Sequence, residues 1–322
     1  MEMNEYRNSL GEEMKQYLGF LEKAGRYTKT ITSLFRELDC YIPANVEKEN
    51  CLSKDVIFEW DKNLSCSPVT RKRKYTELRG FIRFLQTAGI KCYIPETPRK
   101  PSSTYVPYIF DENEWDRIIM EADNLADSLK RTGSDIPIVF PMLVRILYVC
   151  GLRVSEALSL KVGDVDFTQN CLNIQKAKRK RQRLVPIKES TADLLRKYLT
   201  RRGIPTMAEA YVFACENGNP PSQSRVQRWF AVTLKNSEIH QVRQHPGERG
   251  ICPHCIRHTF AFRSFQNSGD TFENMVPFLS IYLGHENIME TDRYLRFSYE
   301  LYNDAHDKIS EYTKGVFPEV IK

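Results

Sequence analysis

Pro253-His254-Cys255-Ile256-Arg257-His258-Thr259, then Leu283-Gly284-His285 and Thr291-Asp292-Arg293-Tyr294, place His254, Arg257, His258, His285 and Tyr294 within residues 253–294. On a helix, residues 254, 257 and 258 share one face, so an imidazole and a guanidinium point the same way. Far upstream, Gly151-Leu152-Arg153-Val154-Ser155-Glu156 supplies a second arginine, with an acid three residues on. If 154–160 forms a helical turn, Glu156 can brace Arg153, although an isolated pair of this spacing is commonly a surface ion pair. Two arginines can hold a phosphate in planar forks of hydrogen bonds, and a tyrosine hydroxyl beside them can attack it. A lone tyrosine is more often core or surface, and Tyr282, Tyr299 and Tyr302 stand close by.

Working outward, residues 165–187 alternate as a β-hairpin or small sheet. Leu172 and Ile174 go up one side, and Leu184, Val185 and Ile187 come back down. The tip between them is Lys176-Ala177-Lys178-Arg179-Lys180-Arg181, a cationic run without a carboxylate. Such a run serves either as a solubilising turn or, because it repels itself, as a contact for a polyanion. Around the hairpin lie helical patterns. Asp111 and Glu114 form a capping-box pair before an apolar stripe from Ile118 to Leu129, and a buried helix spans about 138–149. Residues 190–202 put Leu194, Leu195 and Tyr198 inward, with Arg196, Lys197, Arg201 and Arg202 outward. Tyr211-Val212-Phe213 reads as a short strand, and a helix from about Ser224 carries Val226, Trp229 and Phe230. Phe278, Leu279, Ile281 and Leu283 end a helix at Gly284. Short helices follow over 289–296 and 299–314.

The first ninety-odd residues carry four helical patterns and no strand signal. Leu10, Met14, Tyr17, Leu18 and Leu21 stop at Gly25, and Ile31, Leu34, Phe35 and Leu38 repeat the pattern. Ser53 caps a third helix bearing Val56, Phe58, Trp60 and Leu64. Ser67-Pro68 opens a fourth with the stripe Leu78, Phe81, Ile82 and Leu85. That fourth helix begins Arg71-Lys72-Arg73-Lys74, and Lys72, Arg79 and Arg83 share another face. They form a cationic surface that is either solvated or laid on nucleic-acid phosphates. Four prolines over 95–107 mark an extended, semi-rigid linker. The division is therefore a helical domain over 1–94, a linker over 95–107 and a larger domain over 108–322.

Composition sets limits. With 322 residues and 41% hydrophobic content the chain can build packed cores, and a net charge of +6 is mild, so local clustering of cations carries the argument. Nine scattered cysteines suit reduced thiols in a cytoplasm rather than a disulfide framework. The acidic, polar N-terminus is no signal peptide, and the most apolar stretch, 136–152, is interrupted by Pro137, Pro141 and Arg145, so no membrane span is expected. Cys252-x-x-Cys255 beside His254 and His258 raises zinc. No second cysteine pair of matching spacing accompanies it, so small thiols on a partly buried helix are the better account and no metal is expected.

The whole set resembles the tyrosine recombinase, or phage integrase, family. Gly151-Leu-Arg-Val-Ser-Glu156 is similar to the family's first arginine motif, His254-Cys-Ile-Arg257-His258 to its H-x-x-R-H box, and Leu283-Gly-His285 to its third histidine motif. Tyr294 lies at the nucleophile's offset after His285, and Arg183-Leu-Val-Pro-Ile resembles the end of the catalytic hairpin. Counting back from Pro186 points to Lys178 as the catalytic lysine, with Lys176 and Lys180 as substitutes, because alanine and arginine flank it where the family has glycines. The resemblance is closest to compact, Xer-like members. It implies a mainly α protein with a small β-sheet, in which a SAM-like helical domain and an α+β catalytic domain clamp duplex DNA. It also implies a catalytic set of Arg153, Lys178, His254, Arg257, His285 and Tyr294, supported by Glu156 and His258. DNA contacts would come from Arg71, Lys72, Lys74, Arg79 and Arg83, and from Lys176, Arg179, Lys180 and Arg181. Cleavage through a 3′-phosphotyrosyl bond, no cofactor, and assembly through the last helix as a tetramer on two sites, with a dimer on each site as the alternative, complete the expectation. A type IB topoisomerase or a non-catalytic DNA-binding protein of the same fold are the alternatives.

Overall fold

The computed structural model describes residues 6–26, 28–43, 51–99, 107–129, 136–175, 182–240, 250–267 and 272–284. The chain divides into two compact units, Met1–Thr104 and Tyr105–Lys322. The first is all helix: α1 (Gly11–Lys23), α2 (Lys29–Leu38), α3 (Lys54–Lys62) and α4 (Pro68–Thr87). Its core joins Met14, Tyr17, Leu34, Phe35, Trp60, Leu78, Phe81 and Leu85, each nearly or fully buried. Caps are set locally. The Ser53 hydroxyl accepts from the Val56 N–H at 3.4 Å, and the Ser67 hydroxyl from the Thr70 N–H at 3.3 Å, with Pro68 in the first turn of α4. One expectation fails here. Phe58 is 67% exposed, because the inward face of α3 is carried by Ile57 and Trp60.

The second unit begins with α5 (Glu112–Leu129), opened by the expected reciprocal cap. The Asp111 N–H donates to Glu114 at 3.1 Å and the Glu114 N–H to Asp111 at 2.7 Å. Helix α6 (Ile136–Cys150) packs on α5. Val139, Phe140, Leu143, Val144, Ile146 and Leu147 are all buried, as befits a helix apolar on nearly every side. Trp115 of α5 stacks on Tyr148 of α6 at 3.7 Å between ring centroids. No helix among the described residues is long and apolar enough to cross a membrane.

A short helix α7 (Val154–Leu158) leads into an antiparallel sheet of β1 (Val165–Asp166), β2 (Cys171–Ile174) and β3 (Arg183–Pro186), in the order β1-β2-β3. The register pairs Leu172 with Val185 and Ile174 with Arg183. Leu184 therefore points outward and is 63% exposed. Helix α8 (Glu189–Arg202) buries Ala192, Leu195 and Tyr198, while Leu194 is exposed. Arg202 turns back to donate to the Ala214 carbonyl at 2.9 Å instead of facing outward. Tyr211 makes only an isolated bridge to Lys161, and Val212 and Phe213 are fully buried without forming a strand. Helices α9 (Gln223–Asn236), α10 (His254–Gln266) and α11 (Phe272–Leu283) complete the described fold. On α11, Leu279 and Leu283 pack inward with Ala261 and Phe265 of α10, while Phe278 and Ile281 are exposed.

Candidate active site

Two helix ends build the centre. Helix α6 stops at Gly151, whose φ of +59° is the left-handed cap that glycine tolerates. A Cβ here would lie 2.4 Å from the Phe260 ring, so the position excludes any side chain. Helix α11 stops at Gly284 in the same way, with φ +64°, and a Cβ there would lie 2.9 Å from the Arg183 guanidinium. Both caps leave carbonyls aimed at arginines. Arg257 donates to the Gly151 carbonyl at 2.8 Å and to the Leu283 carbonyl at 2.5 Å. Arg153 donates to the Gly284 carbonyl at 3.3 and 3.4 Å. The C-terminal end of a helix carries partial negative charge, so these carbonyls suit guanidinium groups without neutralising them.

Glu156 sits at the middle, 2% exposed. Its carboxylate accepts from the Arg153 backbone N–H at 2.9 Å, which fixes the start of α7, and from the Arg153 guanidinium at 2.9 Å. Arg183 of β3 grips both oxygens of the same carboxylate, at 3.0 and 2.8 Å, and donates its Nε to the Tyr282 carbonyl at 2.8 Å. Arg257 stands 3.8 Å away. Burial by itself would push the Glu156 carboxyl up, but the hydrogen bonds and charge of Arg183, the Arg153 N–H and the charge of Arg257 together hold it down at about 2. Three guanidinium groups thus surround one carboxylate, leaving the cluster with surplus positive charge.

The cluster opens on one side. Arg153, a quarter exposed, lines a groove of about 290 Å³ together with His254, Ser155, Gln223, Gln227 and Cys252. His254 stands half-buried at the start of α10, with its ring 4.6 Å from that of His258 in a T-shaped contact. His258 is buried, and Arg257 is 1% exposed behind the groove. Thr259 anchors the helix, accepting from the Phe110 N–H at 3.0 Å. Cys252 and Cys255 are buried, the Cys252 N–H donating to the Cys255 sulfur at 3.5 Å. Among the described residues no group of three or more His, Cys, Asp or Glu side chains could hold a metal ion. Chemically the arrangement is a receptor for a tetrahedral anion: fixed positive charge, oriented N–H donors and an imidazole at the rim.

The structure therefore brings Arg153, Glu156, His254, Arg257 and His258 together. Lys178, Lys176, Arg179, Lys180 and Arg181 of the hairpin tip lie outside the described residues, as do His285 and Tyr294. In the helical unit, Arg71 is paired with Asp61, Lys74 with Glu37 at 2.6 Å, and Arg79 with the Pro95 carbonyl. Lys72 and Arg83 have no such partner among the described residues, and Arg73 bonds only the Thr30 hydroxyl, so these cations of α4 carry charge not matched by a carboxylate. Arg183 was not singled out from the sequence. A usable signal existed. In a strand of period two, Arg183 shares the face of buried Val185, and a cation on that face requires an anionic partner.

Residues 109–300 match the phage integrase family, and the chain belongs to that family, the tyrosine recombinases, enzymes of site-specific DNA recombination. It is 28% identical over 316 residues to a Sinorhizobium fredii protein bearing the name integrase/recombinase y4rB, covering 94% of this chain and 96% of that one. It is 26% identical to tyrosine recombinase XerD of Lacticaseibacillus casei, over 77% of this chain and 80% of that one. The fold is similar to that of the Tn1549 transposon integrase in complex with transposon right end DNA. The TM-score is 0.64 at 17% identity, covering 93% of this chain and 98% of that one.

Proposed function

We propose that this chain breaks and rejoins duplex DNA with Tyr294 as nucleophile. The observation that carries the proposal is the Arg153–Glu156–Arg183–Arg257 cluster opening beside His254. A phosphodiester repels nucleophiles and gathers charge on its non-bridging oxygens as it reacts; Arg153 and Arg257 meet that charge with preorganised donors. The phenol oxygen of Tyr294 attacks phosphorus, and the bond from phosphorus to the 5′-oxygen breaks. The result is a 3′-phosphotyrosyl link and a free 5′-hydroxyl. His254 takes the phenol proton or donates to the phosphate, His285 orients the phosphate, and Lys178 on the hairpin protonates the departing oxygen. The link keeps the bond energy, so a partner strand's 5′-hydroxyl reverses the step without ATP. Lys72 and Arg83 of α4, with the hairpin cations, hold the duplex backbone. Catalysis takes place in the cytoplasm in a tetramer on two sites, joined through the helix over 299–314.

The test is incubation with a nicked duplex carrying the cognate site. A covalent protein–DNA adduct is expected, absent in Tyr294→Phe. An adduct that persists in that variant moves the nucleophile to another tyrosine. Absence of any adduct on the cognate site leaves a DNA-binding protein. Relaxation of supercoils without strand exchange identifies a topoisomerase.

A further inference from the structure

We propose that Arg183 is a positioning residue for the cleavage reaction, setting the orientation of Arg153 by holding both oxygens of Glu156. The inference rests on the recombinase chemistry proposed above. Arg183 is a single guanidinium that joins three stretches of chain. It belongs to β3, the strand that returns from the hairpin tip. Its two terminal nitrogens bond the Glu156 carboxylate of α7 at 3.0 and 2.8 Å, and its Nε bonds the Tyr282 carbonyl near the end of α11 at 2.8 Å. Those stretches lead directly to Lys178, Arg153 and His285.

The geometry fixes what Arg183 does for Arg153. A carboxylate facing a lone arginine takes a two-pronged hold and draws the guanidinium onto itself. Here Arg183 already occupies both oxygens. Arg153 makes one side-chain bond to Glu156, at 2.9 Å, and spends its other contacts on the Gly284 carbonyl. Arg153 stays at the groove wall, a quarter exposed, while all three donor nitrogens of Arg183 are taken up by Glu156 and the Tyr282 carbonyl. Arg183 does not line the groove; it acts through Glu156. Gly284 is part of the same device, because a side chain there would collide with the Arg183 guanidinium.

Charged groups face Glu156 from several elements among the described residues. Arg153 stands at the head of α7, Arg183 on β3 and Arg257 on α10. Across the small cavity beside it lie Asp164 and the ion-paired Lys161 and Glu209. From α11 the Tyr282 phenol, pushed up by burial, lies within reach of the Arg183 and Arg257 charges and stays neutral. Arg183 supplies the foremost hydrogen-bonding and charge contributions that keep Glu156 ionised against its burial. Its loss lets the carboxyl titrate nearer neutrality, and a protonated Glu156 no longer braces Arg153.

Single-turnover cleavage of a nicked cognate duplex, measured from pH 5 to pH 8 with duplex binding measured alongside, tests this in Arg183→Ala and Arg183→Lys. Arg183→Ala is expected to bind the duplex as the unaltered protein does, yet cleave about 100-fold more slowly, the scale of a misplaced catalytic group. The acid limb of its pH profile is expected to move upward. Arg183→Lys keeps the charge but not the fork, so its acid limb should stay near that of the unaltered protein while its rate is only partly restored. An unchanged rate in Arg183→Ala overturns the inference. So does a lower rate with an unmoved acid limb, which marks a merely structural contact. If the unaltered protein itself forms no adduct, the recombinase chemistry fails and this role falls with it.

Discussion

A buried carboxylate among three guanidinium groups is stable only while it remains ionised. Glu156 has its pKa held at about 2, against an ordinary 4.5, so it contributes stability that is complete above the ordinary value and lost as pH falls toward about 2. The contribution is on the order of 3 kcal/mol at neutral pH. Denaturant melts between pH 7 and pH 2 should show the unaltered protein losing most of that increment below about pH 4.5. Glu156→Gln should be about 3 kcal/mol less stable at pH 7, because it leaves buried arginines without their anion, and should lack this part of the acid dependence. A Glu156→Gln protein as stable as the parent at pH 7 would remove Glu156 from the centre of the cluster. Arg183 was hidden in the sequence for a related reason. Its partners, Glu156 and the Tyr282 carbonyl, lie 27 and 99 residues away, and nothing in Arg183-Leu-Val-Pro-Ile states that distance.

Between elements, the informative positions are the ends. Gly151 closes α6, admits the Phe260 ring against its Cα and offers its carbonyl to Arg257. Gly151→Ala combines a left-handed backbone with a clash against an aromatic ring, so a loss of about 2–4 kcal/mol in chemical denaturation is expected. Ser67→Ala removes only a cap, and about 1 kcal/mol should suffice there. Caps were legible from the sequence because donor and acceptor lie within one turn: Ser67 with Thr70, Asp111 with Glu114. The apolar stripe of α4 was legible because its period repeats over several turns. Leu194 was misplaced because it stands beside a second apolar residue, Leu195. Neighbours on a helix lie about 100° apart, so both can face inward, as Leu34 and Phe35 do, or only one; packing partners elsewhere in the chain decide. The arginine, histidine and glutamate types of the site were readable one by one; their convergence on two glycine-capped helix ends was not.

Among the described residues, Met1–Thr104 and Tyr105–Lys322 each build a main core of their own. Limited proteolysis should therefore cut first within 95–107 and release two fragments, each with its own cooperative melt; a single fragment-free digestion course would contradict this. The larger unit is itself unevenly held. Helix α11 rests on a small cluster of Ala261, Phe265, Leu279 and Leu283, set apart from the main core that encloses α6. Regions with few buried apolar contacts open at lower free energy than the whole domain. Amides of α11 should then exchange with solvent sooner than those of α6 in native-state hydrogen exchange. When α11 lifts away, Arg257 loses the Leu283 carbonyl, Arg153 the Gly284 carbonyl and Arg183 the Tyr282 carbonyl at one stroke. On warming, the protein should disarm before it melts: cutting ability is expected to vanish while the core is still intact, and to return on cooling.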